Sequence, residues 1–244
     1  MEGSRGLGDV YKRQVSTRLG LVGIPSCAEV MIVERDLRLA ELTGVHYHVS
    51  NVSTKETVEV IKRAKLNGIK ITCDTSPPYF SLNELELSTY DTSFKLSPPL
   101  RNEEDRIAIQ NAIFDDTIDI ITSDHKPMSN DTKILPFTSA STGASGIETL
   151  LPLTLNLLNK SDVSKINILK KITLNPSKLL KVEIPKIKSN EKANFIIFDP
   201  NEQYLINKDS LQTSPTPFHG RPVQGKNYMS MMNGEIVFDN INLL

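Results

Sequence analysis

The chain has 244 residues, of which 39% are hydrophobic and 23% charged, and its net charge is −1. This composition is that of a folded globular protein and excludes extensive disorder, and the near-neutral charge argues against nucleic-acid or polybasic membrane binding. No apolar run approaches the ~18–20 residues of a membrane-spanning helix, and no secretory signal is visible, so a cytoplasmic protein is expected.

Cys27 and Cys73 are too few for a disulfide framework, and each is expected as a buried small hydrophobe in a reducing compartment. Residues 1–14 (MEGSRGLGDVYKRQ) have no amphipathic period and read as a non-native scar preceding the domain, with a genuine N-terminal segment as the other reading. From Val15 the chain alternates. Ser26-Cys-Ala-Glu29 has the spacing of a capping box, opening a helix to about Leu42 with Gly44 as its stop. Val45–Val52 reads as a strand. Ser53-Thr-Lys-Glu56 is a second capping box, before a helix with Val58, Ile61 and Ala64 on one face that ends at Gly68. Ile69–Ser76 and Phe94–Pro99 read as further strands, and Asn102 to about Phe114 as a helix. Ile118–Asp124 is a short β-branched run ending on a carboxylate. Polar residues at the C-terminal end of such a strand sit where catalysis takes place in a (β/α)₈ barrel, which marks Asp124. A turn-capping role for Asp124 is the other reading.

Beyond Asp124 a polar loop over 129–146 leads to helices at Ile147–Leu158, Val163–Thr173 and Pro176–Leu180. The period then changes to two. Ala193–Pro200 and Tyr228–Asp239 read as strands, with Asn233-Gly234 as a hairpin turn. The fold class is therefore α/β, with a βα-repeating segment over 15–182 and a β-rich segment over 183–244. Four parallel strands are too few to close a barrel of eight, so the chain is expected either as a small open sheet or as the second half of something larger.

Several stretches resemble the dihydroorotases, in particular the long bacterial type within the amidohydrolases. They are Val15–Asp36, Glu41–Thr54, Tyr90–Arg101, Thr122–Pro127, Gly146–Pro152 and Thr216–Gly220, in order along the chain. The resemblance implies the second half of a (β/α)₈ barrel beside part of a small β-sandwich. It implies hydrolysis and closure of a cyclic amide, with zinc supplying a hydroxide and polarising the ring carbonyl, and an aspartate shuttling the proton.

Carried onto this sequence, the implied site is depleted. The family's first-strand His-x-His pair is not in the chain. The fifth-strand His-x-x-His-x-Ser reads His48-Val-Ser-Asn51-Val-Ser53, so Asn51 stands at a ligand position. The sixth-strand Thr-Pro-His-His reads Ser76-Pro77-Pro78-Tyr79, so Pro78 stands at another. The substrate-holding Asn-Pro-Pro-Leu-Arg reads Ser97-Pro98-Pro99-Leu100-Arg101, and Asp-His-x-Pro-His reads Asp124-His125-Lys126-Pro127-Met128. Asp124 alone is kept from the metal and proton-transfer set. Ser97 and Arg101 are implied as substrate contacts, and for Arg101 a salt bridge to a neighbouring helix is an equal reading. His46 and His48 point to one face of their strand and could form a metal pair in a shifted alignment; a packed or hydrogen-bonded role for His48 is the simpler expectation. His125 is expected to make a structural contact.

Two functional classes follow. One is a non-catalytic dihydroorotase-like subunit that binds no zinc and acts as a scaffold for aspartate carbamoyltransferase in pyrimidine synthesis. The other is a diverged zinc amidohydrolase. Open strand edges lead us to expect an oligomer.

Overall fold

The computed structural model describes residues 14–160, 164–207 and 215–241. The stretch read as a scar lies outside them except for Gln14, and so does Val163. The chain divides into two compact units: residues 14–147 with 215–217, and residues 148–207 with 218–241.

The first unit is built on three parallel strands in the order β1-β2-β3: β1 Tyr47–Val49, β2 Ile71–Thr75 and β3 Ile120–Ile121. His48 lies beside Thr72, and Asp74 beside Ile120. Around them run α1 Gln14–Leu19, α2 Cys27–Thr43, α3 Lys55–Leu66, α4 Pro77–Ser81, α5 Glu103–Phe114 and α6 Asn130–Lys133. Pleating sends alternate side chains to opposite faces. Val49, Ile71, Cys73 and Ile121 form one buried row, and α3 lays its expected face of Val58, Ile61 and Ala64 into the core with Ile109 and Ile113 of α5. The other row carries His48, Thr72 and Asp74.

The expected strand Phe94–Pro99 does not form. A 3₁₀ turn covers Thr92–Phe94, and β2 pairs directly with β3. Pro98 and Pro99 have no N–H to give a ladder, which overrides the apolar pattern. Cys27 is exposed at the start of α2, whereas Cys73 is buried as expected and its thiol is pushed up to about 12 by that burial.

Both capping boxes are misplaced in the sequence reading. Ser26 has helical dihedrals and makes no side-chain cap. Glu29 does not turn back on its own helix. Its carboxylate reaches the start of α3, accepting from Ser53 N at 3.1 Å, Thr54 N at 3.3 Å and the Ser53 hydroxyl. The N-cap of α3 is Thr54, whose hydroxyl accepts from Thr57 N, so the cap sits one residue later than read and Thr57, not a glutamate, stands at N3. Asp105 of α5 completes the end by accepting from Lys55 N at 2.9 Å. The other end of α3 is tied down by Lys65, whose ammonium lies 2.7 Å from Asp119; that carboxylate in turn accepts from Cys73 N of β2. The helix expected from Asn102 forms as α5, and Asn102 is its N-cap, accepting from Asp105 N.

The second unit holds α7 Ile147–Asn156, α8 Lys165–Ile172 and α9 Leu174–Leu180, and an antiparallel sheet of β4 Phe195–Leu205, β5 Pro222–Met232 and β6 Glu235–Asp239. The Asn233-Gly234 turn forms as read, both residues at positive φ (53° and 88°), the requirement of a type I′ hairpin. Gly225 lies so close to Leu155 of α7 that a Cβ there would come within 2.2 Å of its Cδ1.

The position of Glu29 yields a contrast between two substitutions. Glu29→Ala removes the acceptor for two backbone N–H groups and strands the Arg101 guanidinium beside it, so it should cost about 2–4 kcal/mol in urea unfolding. Ser26→Ala, at the apparent cap of α2, should cost less than about 0.5 kcal/mol.

Candidate functional site

The C-terminal ends of β1, β2 and β3 bring together one polar cluster, with Asp74 at its centre. This residue is 3% exposed on the middle strand. A carboxylate so buried must be satisfied by donors. Four reach it: His48 Nε2 at 2.9 Å and the Ser50 hydroxyl at 3.1 Å on Oδ2, Asn51 N at 2.8 Å and the Thr122 hydroxyl at 3.2 Å on Oδ1. The other ring nitrogen of His48 lies 2.8 Å from the Thr72 hydroxyl, which also contacts His46 Nε2 at 3.1 Å. His48 is thus a hydrogen-bonded residue of the sheet face, as its simpler expectation had it. Asp74 was not singled out from the sequence. The available signal was a carboxylate inside an otherwise buried strand, Ile71-Thr-Cys-Asp-Thr75, where it has to be paired.

Asp124 follows β3 in a left-handed backbone conformation (φ 43°), and Asn51 follows β1 in the same region (φ 56°). Asn and Asp tolerate this conformation better than most residues. The two side chains meet: Asn51 Nδ2 donates to Asp124 Oδ1 at 3.1 Å. Lys126 Nζ lies 3.1 Å from the same oxygen. Asn51 Oδ1 is buried without a hydrogen-bond partner among the described residues, as is the hydroxyl of Ser76 at the end of β2.

Pro78 is buried in the first turn of α4 and contributes no donor or acceptor side chain. Beside it Tyr79 is 3% exposed and donates from its hydroxyl to Pro98 O at 2.9 Å. Burial, reinforced by the negative charge of Asp124, pushes its phenol well above the ordinary value, so Tyr79 stays a neutral donor. His125 accepts from Gly146 N at 3.2 Å, a structural contact of the expected kind. Gly146 itself is forced by close approach, because a Cβ there would lie 2.1 Å from Ser123 O.

Ser97 is exposed, and no hydrogen bond joins it to Asp124 or Asn51 among the described residues. The Arg101 fork is spent on the framework. It donates to Ile24 O at 2.7 Å and the Ser53 hydroxyl at 3.1 Å, and it lies 3.7 Å from Glu29. Asn51, Asp124 and Lys126 are therefore brought together, while Pro78, Ser97 and Arg101 add no functional group to that contact.

Zinc is the metal the sequence resemblance implies, and it takes three or four Cys, His or carboxylate donors. Among the described residues no three such side chains converge. Asn51 turns an N–H toward Asp124, and Pro78 has no ligating atom. These residues do not fit a zinc centre.

With this geometry in place the comparisons with known proteins are informative. Residues 18–237 match the model of the amidohydrolase family, and the chain belongs to that family. It is similar to the dihydroorotase of Acetivibrio thermocellus, 40% identical over 225 residues that cover 91% of this chain and 53% of the relative. The dihydroorotase of Anaplasma phagocytophilum (strain HZ) is 37% identical over 234 residues, covering 95% of this chain and 52% of the relative. The chain thus spans about half the length of the curated relatives it matches. Among solved structures its fold is like that of the L-hydantoinase (dihydropyrimidinase) from Arthrobacter aurescens, with a TM-score of 0.83 at 24% identity over 97% of this chain and 55% of that one. The dihydropyrimidinase from Brevibacillus agri NCHU1002 gives a TM-score of 0.84 at 22% identity over 95% of this chain and 54% of that one. No helix among the described residues is long and apolar enough to cross a membrane.

The loop after β3 carries a titratable anchor. Lys133 of α6 is 4% exposed, and its ammonium donates to Thr92 O at 2.8 Å. Burial, and then the charge of Lys95, hold its pKa at about 8, with Asp91 opposing them. A folded-state value below the unfolded one means that the unfolded chain binds more protons across the window from about 8 up to the ordinary lysine value. Stability contributed at this site should therefore rise as pH increases through that window. Lys133→Met should flatten the rise, and thermal unfolding of the two proteins from pH 7 to 10 measures the difference.

Proposed function

We propose that this chain is a dihydroorotase-like subunit of pyrimidine biosynthesis whose own strand ends no longer assemble a catalytic zinc site, and that it acts in the cytoplasm as a scaffold for aspartate carbamoyltransferase. The observation that carries this reading is the Asn51 amide donating to Asp124, the one implied ligand that the sequence keeps. An amide N–H at that oxygen does the opposite of what a cation needs. The framework around it supports the same reading: the Asp74 cluster, the Glu29–Arg101 tie and the capped start of α3 are all intact. In this reading the three parallel strands and their helices correspond to the later part of a (β/α)₈ barrel, and β4–β6 to part of the small sandwich.

A second reading has one observation in its favour. Asp124 is retained at the end of β3, in a left-handed backbone of the kind that active sites hold. A diverged zinc-dependent cyclic amidohydrolase, interconverting carbamoyl aspartate and dihydroorotate, would then need at least two further donors beyond the described residues.

Co-expression with the aspartate carbamoyltransferase of the same organism decides between the two. The scaffold reading expects one shared peak on size-exclusion chromatography and transferase activity that depends on this chain. Two separate peaks with unchanged transferase activity would remove it. Turnover of carbamoyl aspartate by the purified chain, abolished in Asp124→Asn, would establish the second reading.

A further inference from the structure

We propose that Asn51, Asp124 and Lys126 form a metal-independent clamp between the ends of β1 and β3, and that Asn51 is the residue that keeps divalent cations out of it. The proposal stands on the contact itself and survives if the scaffold reading fails.

An ionised carboxylate only accepts hydrogen bonds, so an asparagine beside it must present its N–H₂. The Nδ2–Oδ1 distance of 3.1 Å is such a bond. The electropositive edge of the amide therefore occupies space that a cation would need. Lys126, 3.1 Å from the same oxygen, supplies the countercharge as a fixed monovalent group. The Asp124 side chain is 12% exposed and that of Lys126 is 49% exposed, so the Asn51 contact is the sheltered one and the Lys126 pair faces solvent.

The clamp is also preorganised. Asn51 and Asp124 lie 73 residues apart in sequence and follow β1 and β3, with β2 between them. Both left-handed backbones aim the side chains across that gap. Beneath them Asp74 Oδ1 accepts from Asn51 N and from the Thr122 hydroxyl, which fixes both sides of the contact to the middle strand. Asn51 Oδ1 shows the cost: among the described residues the amide is held with its acceptor unpaired while its donor faces Asp124. An aspartate at position 51 would be isosteric. It would remove the donor and set two carboxylates side by side, an arrangement that one divalent cation relieves.

The test is thermal unfolding and metal analysis of the purified full chain, with manganese chloride, zinc chloride or EDTA as the probes. The wild type is expected to show the same midpoint with either metal and with EDTA. Asn51→Ala should lower the midpoint by at least about 2–4 °C, without any metal response. Asn51→Asp should lower it further, and manganese or zinc should restore part of that loss by relieving the repulsion between the two carboxylates. Because a variant can fail to fold, the wild type provides an independent readout. Its Asn51 carboxamide should give an exchange-protected N–H₂ pair by nitrogen-15 NMR, unmoved by zinc. Three results would each overturn the proposal: one zinc per wild-type chain that is lost on Asp124→Ala, an Asn51→Asp chain no more metal-responsive than the wild type, or a freely exchanging Asn51 amide.

Discussion

A buried carboxylate on the middle strand of a parallel sheet has to be answered by its neighbours, and at Asp74 that requirement organises the end of the sheet. Leaving such a charge unpaired in the interior would cost several kcal/mol. Residues in and after β1 and after β3 meet it from both sides: His48, Ser50 and Asn51 from one, Thr122 from the other. The three strands are short, with β3 only Ile120–Ile121, and backbone pairing alone would specify their relative position weakly. The carboxylate supplies the missing register, and the meeting of Asn51 with Asp124 follows from it.

The elements legible in the sequence are those whose signals are local. The apolar face of α3, the helix from Asn102 to about Phe114 and the Asn233-Gly234 turn each depend on a few neighbouring residues, and each forms as read to within a residue. The misreadings have separate causes, and a long-range partner that outcompetes a local one is the first. Glu29 has the spacing to cap its own helix, but it finds Ser53 and Thr54 instead. In Phe94–Pro99 the missing N–H groups of Pro98 and Pro99 outweigh the apolar pattern. Cys27 sits on the exposed side of a helix whose buried side is Val33, Leu37 and Ala40.

The same distinction runs through the candidate site. Asp124 and Asn51 were marked by position along two separate stretches, and folding brings them within hydrogen-bond reach. Arg101, two-sided in the sequence reading, is engaged on the side of Glu29. Asp74 escaped notice because its role is defined only by what surrounds it: a single acidic letter within a strand carries no spacing pattern. Membership of the amidohydrolase family is legible at the scale of the whole chain, while the chemistry at the strand ends depends on individual side chains.

The way α3 begins has a consequence for how the first unit comes apart. Helix ends ordinarily fray, because their first turn is held by nearby residues and opens at little cost. Here, besides the local Thr54 cap, acceptors arrive from α2 and α5, 25 and 50 residues distant. Loosening the first turn of α3 would also release Glu29 from Ser53 and disturb the Arg101 tie to the Gly23–Ser26 segment. The start of this helix therefore belongs to a cooperative block with its two neighbours, and its formation must wait for contacts between distant parts of the chain.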